Sequence, residues 1–347
     1  MRGFKAWGVA LVLCAACSSE ESSEPGGGTT STGGSGGTGG TGTGSAVAGG
    51  GTGGTGGTGG GVGASGTGGS GAGGLTDPDE CDAQAPEWVF CSDFEEGDKT
   101  IWDDYDGNPD ETNLLMEDAG PFSLSGNHVM RLRVPAGRGG ADLVKVLDAA
   151  YDRLFARWYV KYEPGFDFTA PNHGGGLHAG ARNLLGRSDY RPQGDDWYSS
   201  WIEHTTDSNT HYAYTYYRGM YQDCVDPSGS CWGDHFPCTV DEGQTFCEKA
   251  QHRETVMPPT LQTDRWYCIE MMMDGGTATS SESAADGQLD FWVDEVQIGP
   301  WTDLWFRTDA NLKLEILWLS LFHHGDHSVE GLMLDNVVVS TERIRCP

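Results

Sequence analysis

The chain has 347 residues, with 51 Asp and Glu against 21 Lys and Arg and a formal charge of −30. So acidic a balance excludes a nucleic-acid binder, because phosphates require a basic surface. It also opposes long-range attraction of an acidic polysaccharide, so such a ligand would need a local basic patch.

Residues 1–17, MRGFKAWGVALVLCAAC, read as an export signal. Arg2 and Lys5 make a positive start, and the apolar run AWGVALVLCAA falls far short of the roughly 20 residues that span a bilayer. Ala15 and Ala16 before Cys17 make CAAC a lipoprotein signal with Cys17 as the lipidated residue, although Cys14 stands where leucine is usual. Ser18 fits sorting to the outer membrane of a Gram-negative bacterium. The expected product is exported and lipid-anchored at the cell surface, touching membrane only through its anchor; plain secretion is the alternative.

Residues 18–77 include GGTGGTGGTGGGVGASGTGGSGAGG. They offer almost no apolar side chains to offset ordering entropy, so a disordered Gly-rich tether is expected. Its random-coil reach would be roughly 40–45 Å. Residues 78–347 are long enough for one core and are expected to form a single, monomeric domain.

Setting aside Cys14 and Cys17 leaves Cys81, Cys91, Cys224, Cys231, Cys238, Cys247, Cys268 and Cys346. An even set in an exported chain points to disulfides. Proximity favours Cys81–Cys91 and two bridges within 224–247, with Cys268–Cys346 as the remainder. Zinc is the alternative, but these eight include no CxxC pair.

Strand signals fill the rest. HVMRLRV (128–134) alternates, as does LFARWYVKYE (154–163), with Leu154, Ala156, Trp158, Val160 and Tyr162 on one face and Arg157, Tyr159 and Lys161 on the other. HGGGLHAGAR (173–182) carries three glycines between His173 and His178 and reads as a turn or a close backbone approach. DWYSSWIEHTT, HYAYTYYRGMY, RWYCIEMMMD, LEILWLSLF and GLMLDNVVVST are further strands, and QLDFWVDEVQIG is a hairpin turning at Asp294–Glu295. TDLWFR (302–307) reads as a short helix, and LFHHGDHS (321–328) as a loop whose histidine spacing is too tight for a zinc set. Many strands without intervening helices predict an all-β fold, an antiparallel jelly roll or concanavalin A-like sandwich.

The order CSDFEEGD, ARWYVKYEPGFDF, DRWYCIEMMM, GQLDFWVDEVQIG and LWLSLFHHGDHSVEGLMLDNVVVST resembles the polysaccharide-lyase-like jelly rolls. These include alginate and glucuronan lyases and the core of the fungal cellulose-induced protein with its bacterial relatives, the branch this chain is most similar to. The resemblance covers roughly 88–342. It implies a carbohydrate-active protein cleaving a uronic-acid polysaccharide by β-elimination, or a non-catalytic module binding such a chain. In the alginate-lyase branch a catalytic lysine follows the GFDF strand; here Gly176 takes its place.

β-Elimination needs a group to neutralise the C5 carboxylate, a base for the C5 proton and an acid for the leaving oxygen. Residue types that serve are His178 and Arg182 after the glycines, His204 in SWIEHTT, and Tyr214 and Arg218 in HYAYTYYR. Period-2 alternation puts Tyr212, Tyr214, Tyr216 and Arg218 on one face and His211, Thr215 and Tyr217 on the other. That tyrosine face, with Arg157 and Tyr159, is the expected sugar-binding surface, since tyrosine rings stack on pyranoses and arginine holds a carboxylate bidentately. The same face would serve equally as ordinary sandwich packing.

The resemblance also implies a structural calcium joining the first and last strands. Glu95 and Asp335 match the family pattern, Asp93 lies nearby, and Ser125 and Asn127 could add oxygen ligands. No organic cofactor is expected.

Overall fold

The computed structural model describes residues 80–105, 113–118, 120–121, 127–137, 139–170, 172–188, 190–206, 208–221, 232–238, 240–241, 244–245, 256–323, 328 and 330–346. The expectations for the signal, Cys17 and the tether lie outside these residues, as do Ser125, Cys224, Cys231 and Cys247.

The described strands run β1 (Trp88–Ser92), β2 (Asp104–Tyr105), β3 (Asn113–Asp118), β4 (Asn127–Val134), β5 (Gly139–Tyr151), β6 (Arg153–Tyr162), β7 (Asn172–His173), β8 (Gly175–Gly180), β9 (Trp197–His204) and β10 (His211–Tyr216). After them come β11 (Asp234–Phe236), β12 (Val240–Asp241), β13 (Gln244–Thr245), β14 (Trp266–Asp274), β15 (Gly287–Val293), β16 (Val296–Gln297), β17 (Trp301–Leu304), β18 (Leu314–His323) and β19 (Glu330–Ser340). Apart from short 3₁₀ turns, the described residues hold no helix.

Two antiparallel sheets stack face to face. The back sheet runs β16-β15-β14-β6-β19-β4-β3, with β1 on β19 and β17 on β15. The front sheet runs β11-β10-β9-β8-β18-β5-β2, with β7 on β18. Between them lies one core. The inward face of β6 supplies Leu154, Ala156, Trp158, Val160 and Tyr162, as its alternation predicts. Burying a side chain such as Leu154 contributes about 1.5–3 kcal/mol.

The outward side of the back sheet is covered by the two ends of the domain. Arg157 Nη1 donates to Glu80 Oε1 at 2.9 Å, and Nη2 donates to the other Glu80 oxygen and to the Asn336 carbonyl. Glu270 accepts from the backbone N–H groups of Ile344 (2.7 Å) and Arg345 (3.1 Å). Disulfides join Cys81 to Cys91 and Cys268 to Cys346, as expected from sequence; Cys238 is also disulfide-bonded.

Two local expectations are corrected. HGGGLHAG is strand, not turn: β8 pairs with both β9 and β18 and is buried throughout. A Cβ on Gly174 or Gly176 would overlap the carbonyl oxygen of Ile202 or Ser200, so the glycines permit close strand approach rather than chain reversal. TDLWFR does not open a helix: Trp301–Leu304 is an edge strand pairing with Gly287 and Leu289, with Trp301 stacked on Phe291. The hairpin at Asp294–Glu295 is as expected, both residues holding positive φ (49° and 66°) between β15 and β16.

Candidate functional site

Register assembles the site on the outward face of the front sheet. Tyr212 lies opposite Glu203, Tyr214 opposite Trp201 and Tyr216 opposite Ser199, while His178 faces Ser199 from the other neighbour. His235 lies opposite Tyr214 on β11. Alternation then places Trp197, Ser199, Trp201, Glu203, Tyr212, Tyr214, Tyr216, His235 and His178 on one surface.

At one end of this surface is a titratable centre. His173 Nδ1 lies 2.7 Å from Glu203 Oε1, and the Tyr212 hydroxyl donates to Glu203 Oε2 at 2.8 Å. The carboxylate accepts only, so the His173 proton belongs on Nδ1 and the ring lone pair on Nε2. The imidazole stacks on Tyr214 (5.6 Å between centroids, 4° between planes) and on Phe322 (6.0 Å). Tyr214 and Tyr216 share a 2.9 Å hydroxyl–hydroxyl hydrogen bond. Burial, reinforced by Tyr216, pushes the Tyr214 hydroxyl well above its ordinary pKa, so it stays protonated. His235 stacks on Tyr212 at 4.1 Å; burial and then the neighbouring His173 hold its pKa well below the usual value. Glu203 is buried, whereas the His173 side chain is 25% exposed, which makes this ring the point where the centre meets solvent.

The three tyrosines do share one face, but Arg157 and Tyr159 lie outward on the back sheet, where Arg157 is buried against Glu80. Alternation on β6 is what turns them away from the other sheet. His204 points into the core, ringed by Tyr162, Phe166 and Phe168, and burial pushes its pKa down to about 4. Its neighbour His211, also inward, bonds the Tyr162 hydroxyl at 2.9 Å and is pushed down to about 3 by burial and then by His204. His178 is on the tyrosine face but fully buried, stacked on Trp197 and pushed down to about 4 by burial. Arg182 is at the rim, ion-paired with Asp104. Arg218 follows β10, stacks over Trp305 at 5.0 Å and donates to Gln193 at 2.6 Å.

The sequence reading passed over Glu203 and His235 and gave His173 no role. The only signal is the alternation of SWIEHTT, which sets Trp201 and Glu203 on the face away from Ile202 and His204.

Of the expected calcium ligands, Glu95 and Asp335 have described side chains. Glu95 accepts from His128 N–H at 2.7 Å and sits 3.2 Å from its Nδ1, while one Asp335 oxygen accepts from Asn336 N–H at 2.8 Å. Of Asn127 only the backbone is described. Among the described residues no three His, Cys, Asp or Glu side chains gather as a metal set. Both carboxylates thus accept from backbone N–H groups.

No protein-family description matches the sequence, and no curated protein is similar to it by sequence. Solved structures are similar in fold. The alginate lyase of a Chlorella virus superposes with a TM-score of 0.51 at 16% identity, over 74% of this chain and all of that one. The endo-β-1,4-glucuronan lyase of the fungus Trichoderma reesei gives 0.47 at 15% identity, over 74% and 96%. A cellulose-induced protein gives 0.42 at 16% identity, over 74% and 100%. The chain has the polysaccharide-lyase-like β-jelly-roll fold.

Proposed function

We propose that this chain is an exported, lipid-anchored lyase that cleaves a uronic-acid polysaccharide by β-elimination. Support comes from one observation above the rest: His173, Glu203, Tyr212 and the Tyr214–Tyr216 pair converge at the solvent-facing end of the tyrosine surface. His173 Nε2 takes the C5 proton, with Glu203 holding the ring's tautomer and stabilising the imidazolium that forms. Electrons from the C5–H bond form the C4=C5 double bond as the C4–O bond breaks. The protonated Tyr214 hydroxyl gives its proton to the departing oxygen, and Tyr216 partners the phenolate left behind. A proton passing from imidazolium to phenolate through solvent restores both groups. The anchor at Cys17 and the tether would hold the domain off the outer membrane, consistent with CAAC, Ser18 and the disulfides.

A second reading, a non-catalytic binding module, is favoured by the charge of the surface. The residues that register places on it include no arginine or lysine to neutralise the C5 carboxylate: Arg182 pairs with Asp104, Arg218 with Gln193, and Arg187 lies over Tyr190 beside Trp197. The deciding experiment incubates the full chain with polyglucuronate and alginate and follows ultraviolet absorbance of the unsaturated product. A rise that His173→Ala abolishes supports the lyase. A flat trace with retention of the protein on the polymer leaves the binding module.

A further inference from the structure

Beyond the His173 centre, the same surface carries buried polar atoms with no partner. Ser199 Oγ and Trp201 Nε1 make no hydrogen bond, and neither Trp197 Nε1 nor either ring nitrogen of His178 makes one in ordinary geometry, although Tyr190 lies beside the Trp197 indole and the Gly180 and Ala181 backbone beside the His178 ring. All four residues are at most 3% exposed. Folded proteins leave few buried polar groups unmet, and each needs a reason. Other orphans occur in this chain, such as Trp102 Nε1 and Trp301 Nε1. What separates these four is that they share the outward face of one strand pair, whereas the unpartnered Tyr198 Oη and His204 Nε2 of the same pair face inward. His178 is directly opposite Ser199, and Trp197 and Trp201 flank Ser199 on the same face.

The row also runs into the His173 centre. Trp201 lies 6.4 Å from the His173 ring, 6.0 Å from Tyr214 and 5.7 Å from Tyr216, and Trp197 lies 5.5 Å from Tyr216. Tyr190, from the segment between β8 and β9, packs edge-on against Trp197 at 5.9 Å, and Gly186 adjoins Trp318.

We infer that Trp197, Ser199, Trp201 and His178 form a sugar subsite, which takes the pyranose next to the one held at His173 and receives its carboxylate and hydroxyl oxygens. The two indole N–H groups can only donate, Ser199 can donate or accept, and a neutral imidazole does one of each. A set so weighted toward donors suits an acceptor-rich ring such as a sugar acid, and the indole faces suit its C–H face. Entry requires the segment carrying Gly186 and Tyr190 to shift off Trp197. The inference rests on the proposed groove and names the sugar class that fills its second position.

The test measures binding separately from cleavage. Polyglucuronate and, as a neutral comparator, cellohexaose are titrated into the full-length His173→Ala chain, with Trp201→Phe, Trp197→Phe or Ser199→Ala added singly. Phenylalanine keeps an aromatic ring and drops the N–H. Loss of each N–H or O–H should weaken polyglucuronate binding roughly 3–10-fold, and thermal melting of each variant reports separately the packing lost around these buried side chains. Ser199→Ala, the smallest change, carries the test if a tryptophan variant fails to fold. Unchanged affinity in all three variants overturns the subsite, as does failure of the parent to bind polyglucuronate or a preference for cellohexaose. If the chain with His173 intact produces no unsaturated product yet the variants still bind more weakly, the lyase reading falls and the subsite stands.

Discussion

The backbone of Gly176 abuts Ser200 so closely that a Cβ on Gly176 would overlap the Ser200 carbonyl oxygen and press on Met271 Sδ at 3.0 Å. The position at which the resemblance predicts a catalytic lysine therefore admits no side chain. Restoring that lysine should not restore its chemistry. Gly176→Lys is expected to gain no activity, and Gly176→Ala to lose about 3 kcal/mol or more of stability, since the opposing atoms are backbone and cannot turn aside. For a domain of this size that lowers Tm by roughly 10 °C. Thermal denaturation of the alanine variant checks it; an unchanged Tm would show that β8 and β9 can part freely.

Glu203 acts on His173 rather than on substrate, which separates the two variants. His173→Ala should lower kcat by about 10²–10⁴-fold, the usual worth of a general base. Glu203→Gln keeps the shape but presents either an amide N–H or a neutral carbonyl to Nδ1. It should lower kcat with little effect on KM and move the acidic limb of the pH profile downward, because the imidazolium loses its counter-charge. Pre-equilibrium binding of polyglucuronate should survive both changes. A KM effect alone would make Glu203 a packing residue.

Acid should unfold this domain early. His178 and His204 are held at about 4 and His211 at about 3, against 6.5 for the free group, in each case chiefly by burial. Their folded pKa values are depressed, so between about 4 and 6.5 the unfolded chain binds more protons and stability rises with pH. Asp290 works against this: burial raises it from 3.8 to about 6, so over that interval the folded form holds the extra proton. His235, held low by burial and then by His173, adds to the histidine side, and Asp93, Glu96 and Glu270, raised by burial, add to the side of Asp290; the histidines carry the larger shifts, so stability should fall with acid by on the order of 1–3 kcal/mol per pH unit near pH 5. Urea midpoints at pH 7 and pH 5 measure the slope; a midpoint that stays level or climbs toward pH 5 contradicts it.

What the sequence disclosed follows from how far each signal reaches. The alternation of LFARWYVKYE defines an inward and an outward face of β6, and DFWVDEVQIG carries its own turn, so both were legible locally. HGGGLHAG was not, because glycines at a turn and glycines beneath a neighbouring backbone read alike until β9 and β18 are in place. Alternation also could not say which face of β6 looks toward the tyrosines, and Arg157 and Tyr159 were misplaced for that reason. The His173–Glu203 contact spans 30 residues and depends on β7 and β9 both reaching the same end of the front sheet. Nothing in either short motif encodes that meeting.

Arg157 ties the first described turn to the last strand, and its partner is a stricter test of the fold than its own removal. Its side chain is 0% exposed and Glu80 16%, with the Glu80 carboxylate spanning both guanidinium nitrogens and also accepting from Asn336 Nδ2 at 3.1 Å. Removing only Glu80 leaves a buried cation with carbonyls alone, which costs about 3–5 kcal/mol. Replacing both as Glu80→Leu with Arg157→Met removes the charge together with its partner and should recover most of that loss. The double variant is thus expected to melt higher than Glu80→Gln alone, by roughly 5–15 °C at this chain length. Equal melting points would mean that solvent reaches Arg157 and that the pair contributes no more than a surface ion pair does.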